Sequence, residues 1–151
     1  MKSYMNHKLL PPTEENIITA ETLRYNTYNS EVPTNILDDY YSKSIQKGTM
    51  LLFGTYIGEE LCAACYVSVV GYSIFIDQLF VKKEYQNTGL RIGRQLLEYI
   101  NFNKQIVQEH LQCRSLQTSK LIYTSEKSKS LYLKIGYKET NKPLNIMSKH
   151  I

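Results

Sequence analysis

The sequence lacks the features that mark several specialised classes of protein. Its most apolar stretch, LCAACYVSVVGY, is too short and too polar to cross a bilayer, and the opening segment MKSYMNHKLLPP has no apolar core of the length that an export signal needs. The net charge is only +4, and no run of Lys and Arg is longer than the pair Lys82-Lys83. These absences predict a cytoplasmic protein that binds neither a membrane nor a nucleic acid.

Cysteine and histidine are scarce and poorly spaced for a disulfide framework or a metal site. The three cysteines are an odd number, and Cys62 and Cys65 lie in a strand-like run, where alternation predicts that their side chains point to opposite faces. The three histidines are far apart, with no cysteine or carboxylate at metal-ligand spacing around them. We therefore predict buried core cysteines and no metal.

The remaining composition is that of a globular protein. Hydrophobic residues make up 42% and charged residues 21% of the sequence, without an internal repeat, a low-complexity tract or a linker. This predicts one domain over residues 1–151. The sequence pI of about 8.8 is mildly basic, which suits an anionic ligand.

Hydrophobic periodicity predicts a mixed α/β fold of the α+β type. A helix capped by Thr13 covers TEENIITAETLRYNTY, and a second covers residues 36–46 and is closed by Gly48. Three period-two segments, TMLLFGTYI, LCAACYVSVV and SIFIDQLFV, predict an antiparallel meander. One long helix then runs from Ile92 to Leu111, followed by the strand SKLIYT, the helix EKSKSLYLKI stopped by Gly136, and strands in YKE and LNIMSKHI. The pattern predicts a mostly antiparallel sheet flanked by helices.

The segment VKKEYQNTGLRIGRQLLEYI contains a helix start that has no ordinary capping residue. An uncapped helix N-terminus carries open N–H groups and about half a positive charge, and a glycine beside it lets a ligand approach the backbone. The segment therefore predicts an anion site that a diphosphate would fit. The alternative is that Gly89 only turns the chain from strand to helix.

Two nucleotide-binding loops are excluded by detail. A Walker loop would end in Gly-Lys-Ser or Gly-Lys-Thr, which the segment lacks. A Rossmann fingerprint would need GxGxxG in a βαβ unit, whereas the preceding strand here belongs to an antiparallel meander.

Two motifs in order resemble the GNAT superfamily of N-acetyltransferases. IDQLFVKKEYQNTGLRIGRQLLEYI resembles its acetyl-CoA-binding segment, where a strand is followed by Gln or Arg, two variable residues, Gly, one variable residue, and Gly or Ala opening a long helix. SLYLKIGYKE resembles its Tyr-x-Lys-x-Gly-Phe/Tyr segment through Tyr132, Lys134, Gly136 and Tyr137. One helix and one strand separate the motifs, as in the family, and the resemblance is clear over residues 50–137.

The sequence departs from the family pattern in both motifs. Arg91 stands where the family has its second Gly or Ala, and two interpretations stay open. Either Leu90 and Arg91 are an insertion that makes Gly93 the second glycine, or a bulky Arg is accepted at the close-approach position. In the second motif, Ser125 and Ser128 replace the family's Asn and Ala.

The resemblance implies a sheet with a splayed central strand that binds acetyl-CoA as the acetyl donor. It implies that a strand bulge exposes backbone groups of Leu79, Phe80 and Val81 to the pantetheine arm, and that the loop and helix start hold the diphosphate. The complete set of implied cofactor-binding residues is Leu79, Phe80, Val81, Gln86, Asn87, Thr88, Gly89, Leu90, Arg91, Ile92, Gly93, Arg94, Ser125 and Ser128.

The implied chemistry is direct attack of an amine on the thioester. An alkylamine has a pKa of about 10.4, so a base must remove a proton at neutral pH. We take Asp77 as the base, although it could equally be a structural carboxylate, and strict alternation places it on one face with Leu79 and Val81. The resemblance assigns Tyr132 as the acid that protonates the departing CoA thiolate.

The acceptor is the least determined part of the site. In the family, the segment joining the first two helices shapes the acceptor pocket. Here that region combines aromatic and acidic side chains, which suits a cationic primary amine of a small molecule or peptide, although a plain amphipathic surface would look the same. The residues are Tyr25, Tyr28, Tyr40, Tyr41, Glu31, Asp38 and Asp39.

Two other functions and the oligomeric state stay open. A GNAT-like module could bind acyl-CoA without transferring the acyl group, as a regulator. The chain could also be a nucleic-acid-associated or ribosome-associated factor, including an acetylase of a protein N-terminus, although the weak net charge argues against binding to nucleic acid. The sequence does not distinguish a monomer from a homodimer.

Overall fold

The computed structural model describes residues 4–151, and Met1 to Ser3, part of the segment in which we see no export signal, lie outside the described residues. Among the described helices, none has both the length and the hydropathy needed to span a bilayer. In chain order the elements are β1 (Met5–Leu9), α1 (Glu14–Thr27), a 3-10 turn (Ile36–Asp38), α2 (Tyr40–Lys47), β2 (Leu51–Ile57), β3 (Glu60–Val70), β4 (Ser73–Val81), a second 3-10 turn (Lys83–Tyr85), α3 (Ile92–Phe102), α4 (Lys104–His110), β5 (Thr118–Ile122), α5 (Glu126–Lys134), β6 (Lys138–Asn141) and β7 (Ile146–His150).

The strands form one seven-stranded sheet in the order β1-β2-β3-β4-β5-β7-β6. β4 and β5 are parallel, and the other neighbouring pairs are antiparallel. The predicted mixed, mostly antiparallel sheet flanked by helices is confirmed.

Helices cover both faces of this sheet and bury a core on each side. On one face, α1 and α2 pack through apolar residues against β2, β3 and β4; this core includes Ile17, Ala20, Leu23, Ile45, Leu52, Ala64, Tyr66 and Phe80. On the other face, α3, α4 and the end of α5 contribute to a larger core that includes Phe53, Val67, Ile76, Leu96, Ile100, Val107, Ile135 and Tyr137.

Two elements that precede β2 differ from the prediction. β1 was not predicted, because a five-residue strand at the sheet edge has an alternating, half-exposed pattern and is recognised only through its pairing with β2. The predicted helix over residues 36–46 begins instead as a 3-10 turn, and α2 starts after Asp39, whose Oδ1 accepts a 2.9 Å hydrogen bond from the Ser42 N–H. Gly48, at φ +79°, ends α2 as predicted.

The predicted long helix is two helices. Asn103 leaves the helical region at φ −103° and ψ 39°, and its side-chain amide donates to the Tyr99 carbonyl at 2.8 Å, which separates α3 from α4. Ile100 and Val107 still reach the same core, so the apolar periodicity continues across the break.

A β-bulge corrects the prediction for the cysteine pair. Thr55 pairs with Ala63 and Tyr56 with Leu61, which leaves Cys62 as an extra residue in β3. Cys62 and Cys65 consequently point into the same core rather than to opposite faces. Both are free and buried, as predicted for core residues.

A buried ionic network joins α1, α2 and β3. Glu21 is fully buried, and one of its carboxylate oxygens accepts hydrogen bonds from the Tyr66 hydroxyl and the Arg24 Nε, each at 2.6 Å. Arg24 also reaches Asp39 at 3.0 Å, and its guanidinium lies between the rings of Tyr25 and Tyr41, 4.8 Å from each centroid. Burial raises the pKa of Glu21, while the Arg24 and Tyr66 hydrogen bonds favour its charged form.

We expect Glu21→Ala to lower the free energy of unfolding by about 3 kcal/mol or more, because it leaves a largely buried guanidinium and the Tyr66 hydroxyl without their partner. Urea denaturation at pH 7 measures the loss. Glu60→Ala is the matched control, since it breaks a half-exposed contact with Lys82 at 3.2 Å, and its effect should be small. Equal losses in the two variants would contradict a special role for the buried network.

Candidate functional site

The site is built around a gap in the middle of the sheet. β4 and β5 pair from Ser73 opposite Thr118 to Ile76 opposite Leu121, and there the pairing ends. β4 continues to Val81 with only β3 as its partner. The two parallel strands therefore splay apart, and one edge of β4 is left open.

Asp77 is a bulge residue at the point where the strands separate. Tyr66 pairs with Gln78 and Val67 with Ile76, so Asp77 has no residue opposite it. Its Oδ2 accepts a 2.6 Å hydrogen bond from Ser68 on β3, which puts its carboxylate on the sheet face of Tyr66 and Gln78.

The predicted grouping of Asp77 with Leu79 and Val81 is therefore wrong, because the bulge inserts one residue into the alternation. Leu79 and Val81 pack against the core of the α3 face instead. Burial raises the pKa of the Asp77 carboxyl, and its hydrogen bonds with Ser68 oppose that rise.

The open edge of β4 presents backbone groups at two of the three predicted positions. The Lys82 N–H donates to the carbonyl of Cys62 on β3. In an antiparallel pair the residues alternate, so the backbone N–H and C=O groups of Lys82 and Phe80 point toward β3, and those of the residues between and before them point into the gap. Leu79 and Val81 are the residues that face the gap. Phe80 pairs with β3, and its ring is buried against Tyr66.

The loop between β4 and α3 has the uncapped helix start that the sequence predicts. No side chain caps α3, and its N-cap residue, Arg91, lies in the left-handed region at φ 52°. Asn87 and Gly89 also have positive φ, at 58° and 83°, so left-handed residues recur at every second position. Left-handed residues in a loop can turn backbone N–H groups toward a concavity that binds anions, and the first amides of α3, which no side chain caps, adjoin this loop. This concavity can hold a diphosphate.

Side chains in the loop hold its shape. The Gln86 side-chain amide donates to the Val81 carbonyl at 2.8 Å, the Thr88 hydroxyl to the Tyr85 carbonyl at 2.9 Å, and the Gln95 side-chain amide to the Leu90 carbonyl at 2.7 Å. Gln86 and Thr88, both predicted to bind the cofactor, thus use these side-chain groups within the loop. With these side chains engaged, the loop offers a ligand mainly its backbone N–H groups.

A cleft of about 610 Å³ lies beside this concavity, and every predicted loop residue from Gln86 to Arg94 except Leu90 lines it. α5 forms the opposite wall through Lys127, Leu131 and Lys134, none of which was predicted to bind the cofactor. Their i, i+4, i+7 spacing, which runs from Lys127 into the second motif, is the signal that could have found them. Together with Arg91 and Arg94, the two lysines make the cleft cationic.

The two predicted serines cap α5. The Ser125 hydroxyl accepts from the Ser128 N–H at 3.1 Å, and the Ser128 hydroxyl lies 3.2 Å from the Ser125 N–H, which forms a capping box. Both serines line a neighbouring cleft of about 530 Å³ that shares Lys127 and Lys134 with the first. Their hydroxyls are already engaged in the cap.

Tyr132 lies further along α5, half-buried against the core. Its ring packs edge-on against Tyr137 with centroids 5.9 Å apart, and its hydroxyl has no hydrogen-bond partner among residues 4–151. Burial raises the pKa of Tyr132 to about 12, so the phenol holds its proton at neutral pH. Tyr137 differs, because its hydroxyl contacts Asn101 at 2.8 Å and Ser119 at 2.7 Å.

On the opposite face, Tyr28, at the end of α1, and Tyr41, on α2, reach Gln78, the residue after Asp77. The Gln78 side-chain amide donates to the Tyr41 hydroxyl at 2.8 Å, and the Tyr28 hydroxyl lies 3.5 Å from the Gln78 amide oxygen. Gln78 was not among the predicted site residues. Of the other predicted acceptor residues, Tyr25 and Asp39 belong to the buried network, and exposed positions are occupied by Glu31, Asp38 and Tyr40.

Over residues 4–151, no three His, Cys, Asp or Glu side chains come together in a way that could hold a metal ion.

The splayed strands and the uncapped helix agree with a family match. A model described as an acetyltransferase (GNAT) domain matches residues 50–139, more than half of the chain. The chain belongs to the GNAT acetyltransferase family. Membership supports acetyl transfer as the general chemistry of this GNAT domain. Comparison with curated proteins gives no match.

Solved structures share this GNAT fold at low sequence identity. The PaiA N-acetyltransferase of Thermoplasma acidophilum, in complex with coenzyme A, is 18% identical, with a TM-score of 0.67 over 98% of this chain and 99% of that chain. The ribosomal-protein-S18-alanine N-acetyltransferase of Escherichia coli is 16% identical, with a TM-score of 0.69 over 98% and 94%. A GNAT acetyltransferase of Staphylococcus aureus is 11% identical, with a TM-score of 0.70 over 97% and 99%.

Arg91 offers a test of the loop, because its backbone strain and its charge can be separated. Arg91→Gly and Arg91→Ala both remove the charge, but only glycine adopts φ 52° without steric cost. We expect the glycine variant to be about 1 kcal/mol more stable to urea than the alanine variant. Calorimetry should show that both lose the same several-fold in CoA affinity, and unchanged affinity in both would remove Arg91 from the anion site.

Proposed function

We propose that this GNAT domain is an acetyl-CoA-dependent N-acetyltransferase that acetylates a primary amine of a small molecule or peptide by direct attack. The observation that carries the proposal is the open edge of β4, which runs from the cationic loop to the bulge at Asp77. CoA is an extended ligand with an anionic end and amide groups along its length. Its anionic end fits the cationic loop, and its amide groups fit the open edge of β4.

The loop amides bind the diphosphate. The backbone of Leu79 and the N–H of Val81, whose carbonyl is engaged by Gln86, pair with the pantetheine arm, which brings the thioester to the point where β4 and β5 separate. Gly93 supports the interpretation that Leu90 and Arg91 are an insertion. A Cβ at Gly93 would lie 3.2 Å from Val81 Cγ2, so this glycine lets the first turn of α3 approach β4 closely. Arg91, in contrast, is exposed.

Asp77 and Tyr132 perform the proton transfers. The acceptor arrives as an ammonium ion and gives one proton to the Asp77 carboxylate. Its nitrogen attacks the thioester carbonyl, and an N–H near Leu79 stabilises the oxyanion. The C–S bond then breaks as Tyr132 protonates the thiolate, and the amide nitrogen returns a proton to Tyr132 through water. The products are the N-acetyl amine, CoA and one proton, which Asp77 releases to solvent.

An amine screen distinguishes this function from a non-catalytic acyl-CoA-binding module. Release of CoA thiol from acetyl-CoA is followed with alkylamines, arylalkylamines, diamines and peptides that have a free N-terminus. The peptides are included because one neighbour of similar fold is named as an acetylase of a ribosomal-protein alanine. Turnover with any class supports the transferase, whereas CoA binding without turnover across the panel indicates a regulator.

CoA and acetyl-CoA should stabilise the native protein, since the concavity exists only in the folded chain. At 100 times the Kd, we expect a gain of about 2.7 kcal/mol in the free energy of unfolding, measured by urea denaturation with and without ligand. Gly89→Val is the control: it places a β-branched residue at φ 83° and should lose most of that gain. No stabilisation of the wild type would contradict the donor assignment.

Tyr132→Phe should lower kcat by roughly 100-fold with little change in amine KM, because it removes only the proton donor. Stability should be retained, since the hydroxyl makes no hydrogen bond to a described residue. Tyr137→Phe is the matched control: it removes a hydroxyl with two partners, so it should cost about 1 kcal/mol of stability and leave kcat intact. Wild-type turnover in Tyr132→Phe would make this tyrosine a core residue only.

A further inference from the structure

The carboxylate of Asp77 sits on a bulge, where the regular pairing of the strands does not determine its direction. No residue of β3 pairs with Asp77, and the side chain of a bulge residue can point in more than one direction. A side chain that must meet an incoming amine needs a fixed direction. The structure contains one polar contact that supplies it.

We propose that Ser68 is a positioning residue, which holds one carboxylate oxygen of Asp77 so that the other oxygen is left for the acceptor amine. The proposal rests on the proposed function, in which Asp77 is the base. Ser68 itself does not touch the substrate and transfers no proton.

The geometry of the contact fixes which group donates. Ser68 Oγ lies 2.6 Å from Asp77 Oδ2, within the short range of a hydroxyl bound to a carboxylate. An ionised carboxylate can only accept, so the serine donates its one proton. Within residues 4–151 the Ser68 side chain has this single partner, and the Ser68 backbone adds a second hydrogen bond to the same carboxylate. No other described side chain bonds Asp77, so Oδ1 keeps the capacity to take a proton.

The surroundings of Oδ1 are arranged for a second contact with the same amine. Gln78 follows Asp77 directly, and its side-chain amide is fixed by the Tyr41 hydroxyl at 2.8 Å. The Tyr28 hydroxyl is 3.5 Å from the Gln78 amide oxygen, a long contact that leaves this oxygen able to accept another hydrogen bond. The Gln78 amide oxygen is therefore a second acceptor on the residue next to Asp77.

Few charged groups compete with Ser68 for control of Asp77. Cys65 and Tyr66 on β3 are the titratable groups of the strand that pairs with β4 here. Tyr28, just after α1, and Tyr41 on α2 contact the neighbouring Gln78, and Lys120 on β5 pairs opposite Phe75 of β4. No described Lys or Arg forms an ion pair with Asp77. Burial raises the pKa of Asp77, and the Ser68 hydrogen bonds lower it. Removing the hydroxyl should therefore raise this pKa further, because a hydrogen bond to the charged form favours that form.

The first test is a carboxyl-carbon NMR titration of protein labelled at Asp, without any acceptor, in which Asp77→Asn identifies the signal. Ser68→Ala should shift the midpoint of Asp77 upward by about one pH unit, the scale of one hydrogen bond to a charged group. Ser68→Thr keeps a hydroxyl on the strand and should restore the wild-type midpoint. Ser148→Ala is the control, since it removes a similar cross-strand contact, 2.9 Å from Thr140, away from the site.

The second test is the pH dependence of kcat/KM with the fastest amine of the screen. In Ser68→Ala, the rising limb should move to higher pH by the same amount, kcat should fall about ten-fold, and CoA affinity should stay unchanged. An unmoved midpoint and limb, together with loss of turnover in Asp77→Asn, would overturn the role of Ser68 and leave the transferase standing. Wild-type turnover in Asp77→Asn would overturn both the base and its positioning, independently of whether CoA binds.

Discussion

Backbone N–H and C=O groups need partners wherever they are withdrawn from water, and β4 leaves several of its own unpaired in the interior of a seven-stranded sheet. β3 and β5 both flank this strand, but β5 follows it only as far as Ile76. A parallel neighbour that diverges in this way creates a slot of free donors and acceptors between two packed faces. A ligand with amide groups spaced along a flexible chain can complete the pairing, so the gap prepares the site for CoA.

The two faces of the sheet supply that slot with opposite chemistry. On the α3 and α5 face, the cleft beside the loop has four cationic side chains and open amides, which suit phosphate groups. On the α1 and α2 face, Arg24 is balanced by Glu21 and Asp39, and phenol groups reach the strand beside a carboxylate. The donor and the acceptor can therefore approach the same point of β4 from two differently charged sides.

The buried network contributes rigidity to the acceptor side. Glu21 connects α1 to Tyr66 on β3, and Tyr66 packs edge-on against Phe80 of β4. Because Tyr66 is paired with Gln78, directly beside the bulge, the network fixes the strand position from which Asp77 projects. The position from which Asp77 projects thus depends on ion pairs that lie one strand and one helix away from it.

Local patterns in the sequence determined the features that need only neighbouring residues. The uncapped start of α3, the left-handed glycine before it, the Tyr132 motif on α5 and most strands follow from residue type and spacing, and the GNAT fold follows from their order. The resemblance implied a bulge in β4, but only the tertiary structure decided that it falls at Asp77 and that another falls at Cys62, because an extra residue in a strand is defined by the strand opposite it. It also decided the partners of the site: Ser68 and Gln78 look like ordinary polar residues in strands, and Glu21 looks like a solvated helix residue. Their roles come from contacts nine or more residues away, and side-chain periodicity carries no information about which distant residue will lie within hydrogen-bond reach.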